Sequence, residues 1–190
     1  LASGSGVRKK ILDKYKIDSE VKISNVDEDQ IKESLLSQKA TPLIISKNLA
    51  EIKSLKISNQ NPSRLVLGAD SVISLNGELI NKPNSRQEAL NILKKLNNSK
   101  HFLISSVCIS KNGAMIWNHT DQSELKMKNF SEEELIRYLD KIDTETLLRY
   151  GVYQVEANGL SLFEYIKGDQ DSIMGLPIKQ IMNYISGYKE

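Results

Sequence analysis

The strongest constraint on the fold is an apolar segment that carries an acidic residue near its centre. Residues 64–75 (RLVLGADSVISL) place Gly68-Ala69-Asp70-Ser71 between two apolar runs. This pattern predicts a buried β-strand, and the following Asn76-Gly77 predicts a hairpin turn. A carboxylate inside a buried strand is unfavourable unless it is paired, hydrated or bound to a metal. Asp70 is therefore a candidate functional residue; a purely structural carboxylate, bonded to backbone amides or to a lysine, is the alternative.

The rest of the chain mixes helical segments with strands joined by hairpins. Strands are predicted at residues 21–25, 101–110, 151–156 and 160–166, and Asn112-Gly113 predicts a second hairpin whose returning strand runs towards residue 127. Helices are predicted at residues 7–15, from Pro42 onwards, at 85–96, from 131 onwards and after Pro177. Thr41 is the predicted N-cap of the second, and capping boxes open the third and the fourth. The pattern predicts a mixed α/β fold, with residues 1–190 as a single domain.

Composition argues against several classes of protein. The 190 residues are 39% hydrophobic and 26% charged, and the formal net charge of +2 gives no sign of a nucleic-acid binder. No apolar run approaches the ~20 residues of a membrane helix. The only cysteine, Cys108, lies in an apolar run and is predicted to be a core residue, which fits a cytoplasmic protein without disulfides. The sequence begins abruptly at Leu1, so we expect that a few residues precede it.

Several charged residues are weak candidates singly and stronger together. Asp27-Glu28, Lys53 and Lys82-Pro83 would each usually be solvated. Together, two acids could hold a divalent metal and activate a water, while the cations neutralise a triphosphate. The glycine-containing turn at residues 3–6, leading into a helix, could bind phosphate oxygens. A Walker A motif, metal-ligand spacing of the two histidines and a G-x-S-x-G nucleophile motif are all absent from the sequence.

These motifs, in this order and spacing, resemble those of the Maf family along nearly the whole chain. The opening LASGS with Arg8 resembles the family's LASxSPRR, and Asp27-Glu28 resembles its Asp-Glu pair. The later matches are Leu49-Ala50 with Lys53 (LAxxK), Gly68 to Ser71 (GADT or GADQ), Lys82-Pro83 (GKP), His101 (GRxH), Tyr153 with Glu156 (YxIQ or YxLE) and Gly175-Leu176-Pro177 (GLP).

The resemblance implies an elongated central sheet with flanking helices and two lobes around a nucleotide cleft. It implies hydrolysis of a nucleoside triphosphate to the monophosphate and pyrophosphate, with a divalent metal (Mg²⁺ or Mn²⁺), in the cytoplasm, often as a homodimer. Asp70 matches the catalytic proton acceptor, and Glu28 with Asp70 is the expected metal pair. The substrate contacts match Ser3, Arg8, Lys53 and Lys82.

Two departures from the family pattern bear on activity. The SPRR segment is Ser5-Gly6-Val7-Arg8, so its proline and first arginine are missing; Arg149 could compensate if it faces the cleft. Glu156 stands where many members have glutamine. A carboxylate can accept two hydrogen bonds from guanine and favours a cationic ring, which predicts a guanine or 7-methylguanine triphosphate over dTTP or UTP. A structural role for Glu156 is the alternative.

Two other functions stay open on the sequence. A nucleotide-binding regulatory protein of cell division with little turnover is compatible with the lost arginine. A house-cleaning enzyme that acts on ITP or XTP is the other alternative. Release of pyrophosphate across a set of nucleotides distinguishes them.

Overall fold

The computed structural model describes residues 1–155 and 158–188 as eight α-helices, five strands and one 3₁₀ turn. The helices are α1 (Gly6–Lys14), α2 (Glu28–Ser37), α3 (Pro42–Gln60), α4 (Arg86–Leu96), α5 (Glu132–Leu139), α6 (Thr144–Tyr150), α7 (Gln170–Ile173) and α8 (Ile178–Gly187). The strands are β1 (Val66–Leu75), β2 (Glu78–Ile80), β3 (Lys100–Lys111), β4 (Ala114–Met127) and β5 (Phe163–Lys167), and the 3₁₀ turn is Asn158–Leu162.

The five strands form one antiparallel sheet in the order β2-β1-β3-β4-β5. Both predicted hairpins are present: Asn76-Gly77 and Asn112-Gly113 have positive φ at both residues, as a tight hairpin turn requires. Strand β2 pairs only with Ile73–Leu75 of β1, so no described strand covers the preceding part of that edge. The predicted α/β fold with a central sheet and flanking helices is confirmed, and the single-domain assignment of residues 1–190 stays a prediction.

Two apolar cores pack against different ends of the long central strands. One core combines α1 and α8 with Leu67 and Ala69 of β1. The other combines α4, α5 and α6 with the far end of β1, at Ile73 and Leu75. Ser71 lies between the two groups on the same face, because side chains alternate along a strand. The two lobes therefore meet over the middle of β1.

Helix α3 packs against the opposite face of β1 at very short range. A Cβ placed on Gly68 would lie 2.2 Å from the Ala50 carbonyl oxygen and 2.7 Å from the Ser54 amide nitrogen. Only glycine allows this contact between helix and strand backbones. The buried face of α3 includes Lys53, and Asp70 lies two residues after Gly68 on the same face of β1. Close packing at Gly68 thus brings the lysine to the aspartate.

Three predicted local features were wrong. Residues 21–25 form no strand, since Val21 and Ile23 are 41% and 59% exposed and no described strand lies beside them. Residues 151–155 form no strand either, since no described strand pairs with them. The strand predicted at 160–166 is present but begins only at Phe163, because Asn158–Leu162 is a 3₁₀ turn. At α4, the Glu88 carboxylate accepts from the Asn84 amide rather than from the Ser85 amide, so the box is incomplete.

The start of α4 itself is confirmed, since Ser85 Oγ accepts a hydrogen bond from the Glu88 amide, and the other predicted helix starts are confirmed as well. Thr41 caps α3 ahead of Pro42, and Ser131 with Glu134 forms a complete capping box at α5. None of the helices in the described ranges is both long and apolar enough to cross a membrane.

Replacing Gly68 by alanine should destabilise the fold, because the added methyl group would force α3 away from β1. We expect the free energy of unfolding to fall by about 3 kcal/mol, at the upper end of the range for overpacking. Urea unfolding followed by circular dichroism measures it. Gly187→Ala is the control, since nothing lies within 4 Å of a Cβ at that position. Equal stability of the two variants would contradict the packing argument.

Candidate active site

Asp70 lies in the middle of β1 and is only 5% exposed. Its Oδ1 accepts a hydrogen bond from the Lys53 ammonium at 2.7 Å. Its Oδ2 is buried and has no hydrogen-bond partner among the described residues. A buried carboxylate oxygen is costly to leave without a partner. The second oxygen is therefore available to a water, a metal ion or a substrate group.

The Lys53 ammonium lies between two carboxylates. It is 2.7 Å from Asp70 Oδ1 and 2.8 Å from Glu28 Oε1, and the lysine side chain is only 8% exposed. Glu28 is the first residue of α2, whose N-cap is Asp27. Burial raises the pKa of Glu28, but the charge and hydrogen bond of Lys53, together with the charges of Lys32 and Lys82, outweigh it, so the pKa of Glu28 is lowered. The sequence predicted that Lys53 contacts the substrate. In the structure, its ammonium contacts both Asp70 and Glu28.

Arg8 ties three separate segments together at the edge of the cleft. Its Nε donates to the Gly175 carbonyl oxygen at 2.9 Å. Its Nη1 donates to Ser3 Oγ and the Ala69 carbonyl oxygen, and its Nη2 donates to Ser71 Oγ, each at 3.0 Å. A guanidinium has five N–H donors. One donor is left for a phosphate. Burial lowers the pKa of Arg8, although the charge of Asp70 acts in the opposite direction.

The predicted residues meet in one cleft of about 490 Å³ between the two lobes. Ser3, Arg8, Glu28, Lys53, Asp70 and Lys82 all line it. Lys32 and Arg149 also line it, so Arg149 does face the cleft. Among the described lining residues, five cationic side chains face two carboxylates. This excess of positive charge suits a polyphosphate.

Lys32 was missed by sequence reasoning. It lies four residues after Glu28 on α2, a spacing that places both side chains on one face of the helix. That spacing was the available signal.

Lys82, which was predicted, follows β2 and lines the cleft. Burial, together with the charges of Lys32 and Lys53, lowers the pKa of Lys82, although the charges of Glu28 and Asp70 act in the opposite direction.

The two carboxylates are compatible with a divalent cation. Magnesium typically uses one or two protein carboxylates and takes its other ligands from water and substrate phosphates. Asp70 supplies an unpartnered buried oxygen, and Glu28 lines the same cleft. No group of three or more His, Cys, Asp or Glu side chains with metal-binding geometry occurs within residues 1–155 and 158–188. Two carboxylates that line one cleft therefore fit an ion that takes its other ligands from water or phosphate.

Comparison with known proteins settles the family. The family model described as Maf-like protein matches residues 1–188. The chain belongs to the Maf family. Over 185 residues, the Maf chain is 58% identical to a nucleoside triphosphate pyrophosphatase of Pelagibacter ubique (strain HTCC1062), with 97% of this chain and 95% of that protein covered.

More distant relatives carry similar names. The Maf chain is 34% identical to a nucleoside triphosphate pyrophosphatase of Ruegeria pomeroyi (strain ATCC 700808 / DSM 15171 / DSS-3), with 98% of this chain and 94% of that protein covered. It is 32% identical to a 7-methyl-GTP pyrophosphatase of Brucella abortus biovar 1 (strain 9-941), with 96% and 92% covered.

Residues 149–155 also line the cleft. Tyr153 is anchored there by a buried hydrogen bond of 2.9 Å between its hydroxyl and His101 Nε2. Glu156, the predicted base-binding residue, lies outside the described residues, so its role stays a prediction. Cys108 is buried and bonded to Ser54, which fits its predicted place in the core.

His101 should make the fold sensitive to acid. The residue is 0% exposed, and burial lowers its pKa from 6.5 to about 4. As the pH falls from 6.5 to 4, the unfolded chain binds a proton at this histidine that the folded chain does not. We therefore expect His101 to account for a loss of about 3 kcal/mol over that interval.

Urea unfolding at a series of pH values tests this, with His101→Gln compared against the parent chain. The variant should lose less stability on acidification than the parent. If the free energy of unfolding falls with pH by the same amount in both proteins, His101 is not the group that causes the loss of stability.

Proposed function

We propose that this Maf chain hydrolyses a nucleoside triphosphate between its α and β phosphates, releasing the monophosphate and pyrophosphate. The observation that carries the proposal is that Asp70 Oδ2, in a cleft with an excess of positive charge, has no partner among the residues described. The names of the relatives, at up to 58% identity over nearly the whole chain, support the same reaction.

Asp70 is the proposed catalytic base. Its free oxygen can accept a proton from a water that attacks the α-phosphorus in line with the α–β bridging oxygen. The new bond joins the water oxygen to phosphorus, and the broken bond leaves its electron pair on pyrophosphate. Lys53 holds the other oxygen of Asp70 in place. Lys82 and the remaining donor of Arg8 neutralise the phosphates.

A divalent cation, Mg²⁺ or Mn²⁺, is the proposed cofactor, and Glu28 and Asp70 would hold it. When bound, such an ion lowers the pKa of water and screens the phosphate charge. Ser3 is a proposed substrate contact, although its hydroxyl already accepts hydrogen bonds from Arg8 and from the Ser5 amide. We further propose a cytoplasmic location and a homodimer, with neither nucleic acid nor membrane as a partner.

The proposed base preference rests on Glu156. A guanine or 7-methylguanine triphosphate would present donors or a positive ring to its carboxylate. The name of the Brucella relative, a 7-methyl-GTP pyrophosphatase, supports this choice.

Asp70→Asn should fold normally and lose catalysis, because the amide keeps the shape of the carboxylate but cannot act as a base. We expect kcat to fall by at least ~10²-fold, a typical contribution of general base catalysis. Pyrophosphate release with Mg²⁺ or Mn²⁺ measures it, and a chelator should also abolish the parent activity. Asp18→Asn, at an exposed position, is the control. Parent-like turnover by Asp70→Asn would refute the assignment.

Pyrophosphate release across GTP, 7-methyl-GTP, ITP, XTP, UTP and dTTP tests the base preference. We expect the guanine nucleotides to be turned over fastest, and Glu156→Gln to reduce that advantage because it loses the negative charge. Faster turnover of UTP and dTTP would reverse the prediction. Tight binding without release would favour a regulatory protein, which the missing arginine at Val7 makes the second candidate.

A further inference from the structure

Lys32 projects from α2 into the cleft, one helical turn after Glu28. Its side chain is only 14% exposed. It also lines a second, adjoining pocket that is formed by α2 and residues 81–84. Among the described residues, the cationic side chains that line both spaces are Lys32 and Lys82, and the carboxylate of Glu28 lines both as well. They mark the junction between the cleft and the outer pocket.

The Lys32 ammonium has no close anionic partner in the described part of the chain. The nearest carboxylate is Asp29 Oδ1, at 3.9 Å, and that side chain is 99% exposed. A contact of this length at the surface contributes little. Glu28, the other acid on this face of α2, is already bonded to Lys53. A side chain of low exposure that lines the cleft and makes only this long ionic contact leaves its ammonium available to an anion in the cleft.

The two lysines at the junction repel each other. The charge of Lys32 is one of the influences that lower the pKa of Lys82, alongside burial. Glu28 and Asp70 attract Lys82 more strongly than Lys32 repels it, and a phosphate near both lysines would add an attraction on each side.

The position of the junction indicates which phosphate would lie there. Asp70, whose free oxygen is assigned to the attacked α-phosphorus, lines the cleft but not the outer pocket. Arg8 also lines only the cleft, and most of its donors are already used. Beyond the junction, the outer pocket is lined by the acidic residues Asp27, Asp29 and Glu33, which disfavour further phosphates. The phosphate chain would therefore run from Asp70 and end at the junction.

We infer that Lys32, together with Lys82, binds the terminal phosphates of the substrate and thus the pyrophosphate leaving group. The inference rests on the proposed function, because it assumes that the reaction occurs at Asp70. It adds a cationic contact on α2 to a cleft in which Val7 supplies no charge. The ligand class is a pyrophosphate group, free or as the end of a triphosphate.

Binding of inorganic pyrophosphate, measured by calorimetry with Mg²⁺ present, tests the contact without requiring turnover. Lys32→Met should weaken it about tenfold, the loss typical of one charge-assisted hydrogen bond. Lys32→Arg should restore most of the affinity. Binding of a nucleoside monophosphate, which lacks these phosphates, should not change. The matched control is Lys95→Met, an exposed lysine on α4.

Steady-state kinetics gives the second readout. Lys32→Met should raise KM for the triphosphate by a factor similar to the loss of pyrophosphate affinity. If circular dichroism shows that Lys32→Met does not fold, Lys32→Gln, which keeps a polar end, carries the same test. Unchanged pyrophosphate affinity in a folded, uncharged variant overturns the inference.

The two proposals fail in different ways. A parent chain that releases pyrophosphate, combined with Lys32 variants that bind it normally, refutes only the Lys32 contact. A parent chain that releases none from any triphosphate refutes the proposed function, and weaker pyrophosphate binding by Lys32→Met would still place an anion at the junction.

Discussion

The site depends on one buried ammonium held between two carboxylates. Lys53 contacts Asp70 and Glu28 at 2.7 and 2.8 Å, and it reaches them because α3 packs directly on the backbone of β1 at Gly68. Desolvating these charges is costly, and their mutual attraction offsets that cost only while the geometry holds. A larger residue at position 68 would separate helix and strand and leave buried charges unpaired. The packing of the sheet and the chemistry of the cleft are thus one constraint.

Arg8 performs a comparable role at the edge of the cleft. Its guanidinium joins Ser3, β1 and the turn at Gly175 through four hydrogen bonds. Gly175 has a φ of 96°, and a Cβ there would lie 3.1 Å from Ser71 Oγ, so the turn approaches closely because it is glycine. An arginine used in this way fixes the shape of the cleft more than it supplies charge. Further cations must then come from elsewhere, which is where Lys32, Lys82 and Arg149 lie.

The sequence predicted what depends on local chemistry. The strand around Asp70, both Asn-Gly hairpins and the caps of α3 and α5 each rest on residues close together in the chain. It failed where pairing partners decide the outcome: the alternation at residues 21–25 and the apolar run at 151–155 form no strand because no described strand lies beside them. Lys32 was missed because a lysine on a helix is usually solvated, and only the opposing elements reduce its exposure to 14%.

The contact between Lys53 and Asp70 also determines which oxygen of the carboxylate is open to a metal ion or a water. Lys53 occupies Oδ1 of Asp70, and Oδ2 has no partner in the part of the chain that the structure describes. A divalent ion or a water could therefore approach Asp70 without displacing the lysine. Because Lys53 holds Oδ1, the orientation of Oδ2 is fixed before either of them binds. Because the chain as a whole carries a formal net charge of only +2, selectivity for phosphate comes from this local arrangement and not from overall charge.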